Sequence, residues 1–222
     1  MLRSVIIVAG GTGKRMGTII PKQFLELKGV PVLMRTMDKF REFDPKMQIV
    51  LVLPVEEVPY WDKLCIQYDF NIRHKVAIGG ETRYHSVKSG LLEVVPGSLT
   101  GIHDGVRPLV SKETIDRCYR EAEKKGNAVP FIRPVESVRA STGAGNRSLS
   151  REDVMLIQTP QVFHWEQLEN AYEQPFTIEF SDDASVVESY GFRINLVEGN
   201  PENVKITTPL DLKIADYLCD SE

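Results

Sequence analysis

The chain has 222 residues, of which 42% are hydrophobic and 26% charged, and a formal net charge of -4. That suits one large α/β domain, or one domain with an appendage, and it lacks the basic excess of a nucleic-acid binder. Three cysteines, Cys65, Cys118 and Cys219, are odd in number, widely spaced and without a C-x-x-C pair, which argues against a disulfide framework or zinc site and points to a reducing cytoplasm.

Taken in chain order, an apolar strand is predicted at Ser4–Val8 and empties into "AGGTGKRMG". The apolar run is roughly half a dozen residues, too short for a secretory h-region or a bilayer span, so no targeting segment or membrane partner is expected. A helix follows at Val32–Phe43, a strand at Gln48–Leu53, a helix at Glu56–Tyr68, a strand at Asn71–Ala77 and a helix at Arg83–Val94. Next come a strand at Gly101–His103, a helix at Lys112–Lys125 and a strand at Ala128–Phe131. The last third reads as a strand at Met155–Gln158, helices at Trp165–Glu173 and Asp182–Ser189, strands at Arg193–Val197 and Val204–Ile206, and a helix at Leu210–Leu218. Ser111 and Thr208-Pro209 are helix-start signals. Such alternation predicts a Rossmann-like, mostly parallel sheet with helices on both faces, a single domain over residues 1–222. The rhythm breaks at Pro134–Asp153, a polar, turn-rich stretch whose "TGAGN" reads as a hairpin tip. So polar a hairpin either projects into solvent or packs on a second subunit.

A strand that ends in glycines presents backbone N–H groups to phosphate. The turn is not a P-loop, because Arg15 follows Lys14 where Ser or Thr would hold a metal, and Val8 stands where the first glycine belongs. It is not a dinucleotide fingerprint either, since Gly11 and Gly13 fit but Met16 takes the third glycine position. From Leu2 through Leu25 there is no acidic residue, so Lys14, Arg15 and the later Lys22 repel one another unless an anion lies between them or solvent screens them. In "GGETRYHS" the glycines allow close backbone approach to a flat base, Glu81 and Ser86 offer polar groups, and Arg83 can brace the loop. Alternatively this is a tight turn before an ordinary helix. In "HDGVRP", Asp104 stands at the carboxyl end of a strand, where open α/β sheets bind ligands; its carboxylate suits Mg²⁺ or a sugar hydroxyl. Arg107 suits a phosphate, although the two could simply pair.

"AGGTGKRMG…PKQFL" resembles the signature of nucleotidyltransferases that act on sugar phosphates, and more narrowly of the 2-C-methyl-D-erythritol 4-phosphate cytidylyltransferases of the non-mevalonate isoprenoid pathway. "GGETRYHSVKSGL", "HDGVRP", "QTPQVF", "DDASVVE" and "VEGNPENVKITTPLDL" are similar to family motifs in family order. The resemblance implies CMP transfer from CTP, with Mg²⁺, to a polyol phosphate. It assigns Arg15, Lys22 and Lys205 to catalysis. Ala9, Gly10, Gly11, Gly13, Lys14, Gly80, Glu81, Ser86 and Asp104 would bind CTP and metal, and Arg107, Ser137, Arg151, Thr159, Ser181 and Asp182 the acceptor. It also implies a homodimer in which a β-arm at about 134–153 completes the neighbour's pocket. Here "PVESVR" departs from the family: Glu136-Ser137 replaces the usual Asp-Thr, and Arg139 the usual Lys. Ribitol 5-phosphate as acceptor, or an inactive nucleotide-binding regulator, are the alternative readings. The four histidines need no catalytic role, and His103 is expected as a packed neighbour of Asp104.

Overall fold

A computed structural model describes residues 1–10 and 20–219. In chain order the elements are β1 (Arg3–Val8), the small hairpin β2 (Glu26–Leu27) and β3 (Val30–Pro31), α1 (Val32–Phe43), β4 (Gln48–Leu53), α2 (Val58–Gln67), β5 (Lys75–Ile78), α3 (Arg83–Leu91) and β6 (Leu99–Asp104). There follow α4 (Lys112–Lys125), β7 (Asn127–Ile132), the hairpin β8 (Val138–Thr142) and β9 (Gly145–Leu149), β10 (Leu156–Ile157), β11 (Gln161–His164), α5 (Trp165–Ala171), α6 (Asp183–Ser189), β12 (Leu196–Glu198) and α7 (Pro209–Leu218).

The central sheet is mostly parallel. β1 pairs parallel with β4 on one edge and β6 on the other, and β4 continues to β5. The chain thus builds outward from β1 in one direction, then crosses over to start the other side. β11 is inserted antiparallel between β6 and β7, and β12 lies parallel on the far edge of β7. β10 and β11 run successively along the same edge of β7. Their break at Gln158–Pro160 faces Pro130, which has no N–H for a ladder there.

Alternation along the strands sends neighbouring residues to opposite faces. Val5 and Ile7 of β1 join Ile49 and Leu51 of β4 under α1, α2 and α4, with Met37, Phe40, Trp61 and Tyr119 among the buried side chains. Ile6, Val50 and Val52 face the other way onto α3, α5 and α6. Helices therefore cover both faces, as the periodicity predicts.

Differences are local. Val204–Ile206 was expected as a strand but pairs with none of the described strands, although Ile206 is buried and its N–H bonds Val106 O at 2.9 Å. The expected Asn71–Ala77 strand is confined to Lys75–Ile78, and β11 was not anticipated. The 138–149 hairpin pairs only with itself and has no buried residue. Among the described residues, no helix is long and apolar enough to cross a membrane.

Candidate active site

The carboxyl ends of β1, β4, β5 and β6 converge on one cleft. Ala9 N bonds Val52 O at 3.0 Å, Gly79 N bonds Leu53 O at 2.8 Å, and Gly105 N bonds Val8 O at 2.9 Å. Three bonds thus stitch four strand exits together where the strand order reverses, which is where open α/β sheets hold ligands. Gly105 is required by this stitching: a Cβ there would lie 2.9 Å from Ala9 Cβ. The cleft is lined by Ala9, Gly10, Lys22, Gly80, Glu81, Arg83, Ser86, Asp104 and Lys205 among others.

Asp104 is its electrostatic centre. Its side chain is nearly buried, with Lys205 Nζ at 3.1 Å and Arg107 Nε at 2.9 Å from Oδ2, and Arg83 Nε at 3.9 Å from Oδ1. Burial alone would raise this carboxyl, but Lys205, Arg107 and Arg83 outweigh it and hold it well below the usual aspartate range. Asp104 is therefore ionised throughout the ordinary pH range.

Arg107 gives its other contact, from Nη1, to Asn203 O at 2.8 Å, and only 12% of its side chain is exposed. It pairs with Asp104 and does not line the cleft. Thr159 is buried behind the same strand, its Oγ1 accepting from Asp104 N at 3.1 Å and donating to His103 Nδ1 at 2.9 Å. His103 in turn donates from Nε2 to Arg107 O. Burial lowers His103 to about 4, so it is a neutral strut, as the sequence suggests.

Lys205 owes its aim to the loop before it. Asn203 is fully buried and donates to Thr159 O at 2.8 Å, while Asn200 accepts from Ser111 N at 3.1 Å and donates to Leu109 O at 3.0 Å. With those anchors fixed, Ile206 goes inward and Lys205 reaches Asp104.

Across the cleft, Ser86 is spent on its own loop. Its Oγ accepts from Gly80 N at 3.1 Å and donates to Thr82 O at 2.9 Å. This rigidifies the turn whose backbone faces the cleft. Gly80 tolerates no side chain, because a Cβ would sit 2.5 Å from His85 Cβ. Glu81 is exposed at the rim.

Other expected residues lie elsewhere. Ser181 and Asp182 line a separate depression with Ile157, Ile194 and Leu196; Asp182 caps α6 through Ser185 and accepts from Gln161 Nε2 at 2.8 Å. Ser137 and Arg151 flank the hairpin and are exposed, with Arg151 Nη1 bonding Val135 O at 2.6 Å. Gly11, Gly13, Lys14 and Arg15 lie outside the described residues. Sequence reasoning missed Asp183, which is fully buried and grips Arg83, and Gln23, which is buried in the cleft wall. A signal for Asp183 existed: two aspartates open α6, and a cap needs only one.

A parallel sheet whose switch-point cleft gathers cations from three loops around one carboxylate defines an α/β protein built to hold a polyphosphate. The sequence matches the 2-C-methyl-D-erythritol 4-phosphate cytidylyltransferase family over residues 3–221, and the chain belongs to that family. Proteins of that name from Bacteroides fragilis and Phocaeicola vulgatus are 56% and 55% identical to it over 218 residues, covering 98% of this chain and 100% of theirs. In structure it is similar to the Anaerococcus prevotii 4-diphosphocytidyl-2C-methyl-D-erythritol synthase, with TM-score 0.83, 28% identity, and coverage of 99% of this chain and 96% of that one. The Thermus thermophilus 2-C-methyl-D-erythritol 4-phosphate cytidylyltransferase gives 0.80 at 30% identity, over 99% and 100%.

Proposed function

We infer that this chain transfers CMP from CTP to 2-C-methyl-D-erythritol 4-phosphate, giving 4-diphosphocytidyl-2-C-methyl-D-erythritol and pyrophosphate, a step in making isoprenoid precursors. The observation that carries the reading is the convergence of Lys22, Arg83 and Lys205 on one cleft beside Asp104, together with family membership over nearly the whole chain.

The nucleophile is a phosphate monoester oxygen, which attacks the α-phosphorus of CTP. Its second pKa is about 6, so it is mostly a dianion at neutral pH and needs no dedicated base. The difficulty is that two anions must meet while charge builds on the transferring phosphoryl group. Fixed cations answer it. Lys22, with Arg15, is assigned to the triphosphate and the transition state, and Lys205 to the α-phosphate or the acceptor phosphate. The Gly80–Ser86 loop is assigned to cytosine through its backbone, since the Ser86 hydroxyl is engaged, and Glu81 to the nucleotide at the rim. Arg107 and Thr159 support the site from behind, through Asp104.

The acidic residues lining the cleft, Asp104 and Glu81, offer the hard oxygen ligands that a magnesium ion takes. Among the described residues no cluster of three potential ligands exists, and a hard ion held by one carboxylate and substrate phosphates needs none. Asp104 is the residue that would hold it. When bound, the ion neutralises phosphate charge.

The reading extends to a cytoplasmic homodimer in which the 138–149 hairpin reaches the neighbouring subunit's acceptor pocket. Ser137 keeps a hydroxyl and Arg139 a positive charge at the family's arm positions, and Arg151 supplies acceptor-phosphate affinity; Ser181 and Asp182, in their own depression, are assigned to the acceptor side. The test is pyrophosphate release from CTP and Mg²⁺ with methylerythritol phosphate or ribitol 5-phosphate in parallel. Release with the first acceptor is expected. Release only with ribitol phosphate would reassign the acceptor, and CTP binding without release would indicate a regulator.

A further inference from the structure

Lys22 sits on a short 3-10 turn, Lys22–Phe24, held at two points. Phe24 is buried against Tyr60 and Trp61, with ring centroids 5.2 and 6.3 Å away. Gln23 is fully buried and uses both hydrogens of one nitrogen: Nε2 donates to Ala9 O at 2.7 Å and to Glu57 Oε2 at 2.6 Å. The first bond ties the turn to the end of β1, where the glycine-rich segment departs. The second ties it to the 3-10 turn Val55–Glu57 that follows β4. Gln23 Oε1 is buried with no partner among the described residues. An apolar side chain would fill this volume without stranding an acceptor, so the two N–H bonds are what this amide supplies.

We propose that Gln23 and Glu57 are a positioning pair, which fixes Lys22 and the exit of β1 relative to each other for the triphosphate of the incoming nucleotide. The proposal rests on the cytidylyltransferase reading. Neither residue touches the reacting atoms; they act through Lys22 and the backbone of Ala9.

The geometry makes the pair sensitive to protonation. Burial pushes the Glu57 carboxyl up to about 7, Gln23 pulls it back and Glu56 adds to the rise. Among the described residues, what meets Glu57 from the Lys22–Phe24 turn is the Gln23 amide, and from its own turn the charged neighbour is Glu56. Above pH 7 the Gln23–Glu57 bond is charge-assisted and strong; below it the bond weakens to a neutral one. Stability runs the other way. A carboxyl whose folded pKa is raised contributes stability below its unfolded pKa near 4.5, and this is lost as pH rises toward 7. Charged Glu57 therefore costs the fold something at pH 8 while serving the site.

That opposition separates positioning from mere bracing. Glu57→Gln cannot ionise. Its kcat/KM for CTP is expected to fall roughly fivefold below wild type at pH 8 and to match wild type at pH 6, while its unfolding temperature at pH 8 equals or exceeds that of wild type. Taking the variant-to-wild-type ratio at each pH cancels the titration of CTP and acceptor. The KM for the acceptor should not move. Gln23→Met, which loses both bonds, should lower kcat/KM for CTP by roughly tenfold or more at both pH values; should it fail to fold, Glu57→Gln alone decides. A Glu57→Gln ratio of one at both pH values, or a pH-independent loss with a lowered unfolding temperature, overturns the proposal. If wild type itself releases no pyrophosphate from CTP with either acceptor, it is the functional reading that fails.

Discussion

Arg83 and Asp183, 100 positions apart, close a two-pronged ion pair: Nη1 to Oδ1 at 2.7 Å and Nη2 to Oδ2 at 2.5 Å. They are the first residues of α3 and α6, and Tyr172 donates a third bond to Oδ1 at 2.6 Å. Desolvation would favour a neutral guanidinium, but Asp183 more than reverses that and holds Arg83 charged. The pair locks two helices on one sheet face and turns the remaining guanidinium edge toward Asp104.

Asp183→Asn should therefore damage both stability and activity. Removing one partner of a buried pair strands the other charge, at about 3 kcal/mol, the lower end because Arg83 is 29% exposed. Urea unfolding measures the first effect. Pyrophosphate release measures the second, through an Arg83 no longer aimed at the cleft. An unchanged unfolding midpoint would mean the pair is not formed in solution.

Lys22→Ala should lower kcat by on the order of a hundredfold, as loss of a transition-state donor does elsewhere. Circular dichroism should show the fold intact, because Phe24 and Gln23 anchor the turn. Undiminished turnover would remove Lys22 from the triphosphate assignment.

Asp104→Asn should destabilise the protein at neutral pH by about 3 kcal/mol, since Lys205, Arg107 and Arg83 lose their shared anion. The folded pKa of Asp104 is depressed, so its stabilisation is complete above the unfolded value of 3.8 and is lost progressively as pH falls from there toward the depressed folded value. The difference between wild type and variant should accordingly shrink at pH 3. Unfolding titrations at pH 7 and pH 3 check this, and an equal gap at both would contradict it.

Replacing residues 138–149 by a short linker should leave the sheet's stability nearly unchanged, because the hairpin pairs only with itself. For the proposed homodimer, sedimentation should show the mass halve relative to the intact chain. The KM for the acceptor should rise more than that for CTP, consistent with an arm that serves the neighbouring subunit. A dimer that persists with normal acceptor KM would relocate the interface.

The sequence by itself determined the helices well. Val32–Phe43 and Lys112–Lys125 form as their periodicity predicts, and Ser111 and Thr208 cap helices as expected. The resemblance carried by its motifs also grouped Lys22, Gly80, Asp104 and Lys205, and the fold brings these four to the lining of one cleft. Helical signals are local, so the chain can be read without its partners. Strands were harder. "NVKIT" alternates like a strand but finds no ladder, whereas Gln161–His164 is a strand because β6 and β7 lie on either side of it. Only the tertiary structure decided which cations line the cleft: Arg107 looks like a phosphate binder in the sequence, and packing commits it to Asp104 and Asn203 behind the lining. Gln23 carries no signal of its own in the sequence, and the pair of aspartates that opens α6 does not say which partner Asp183 meets. Their roles exist only through partners 100 and 34 positions away, and a buried polar group acquires its meaning from the bond that satisfies it.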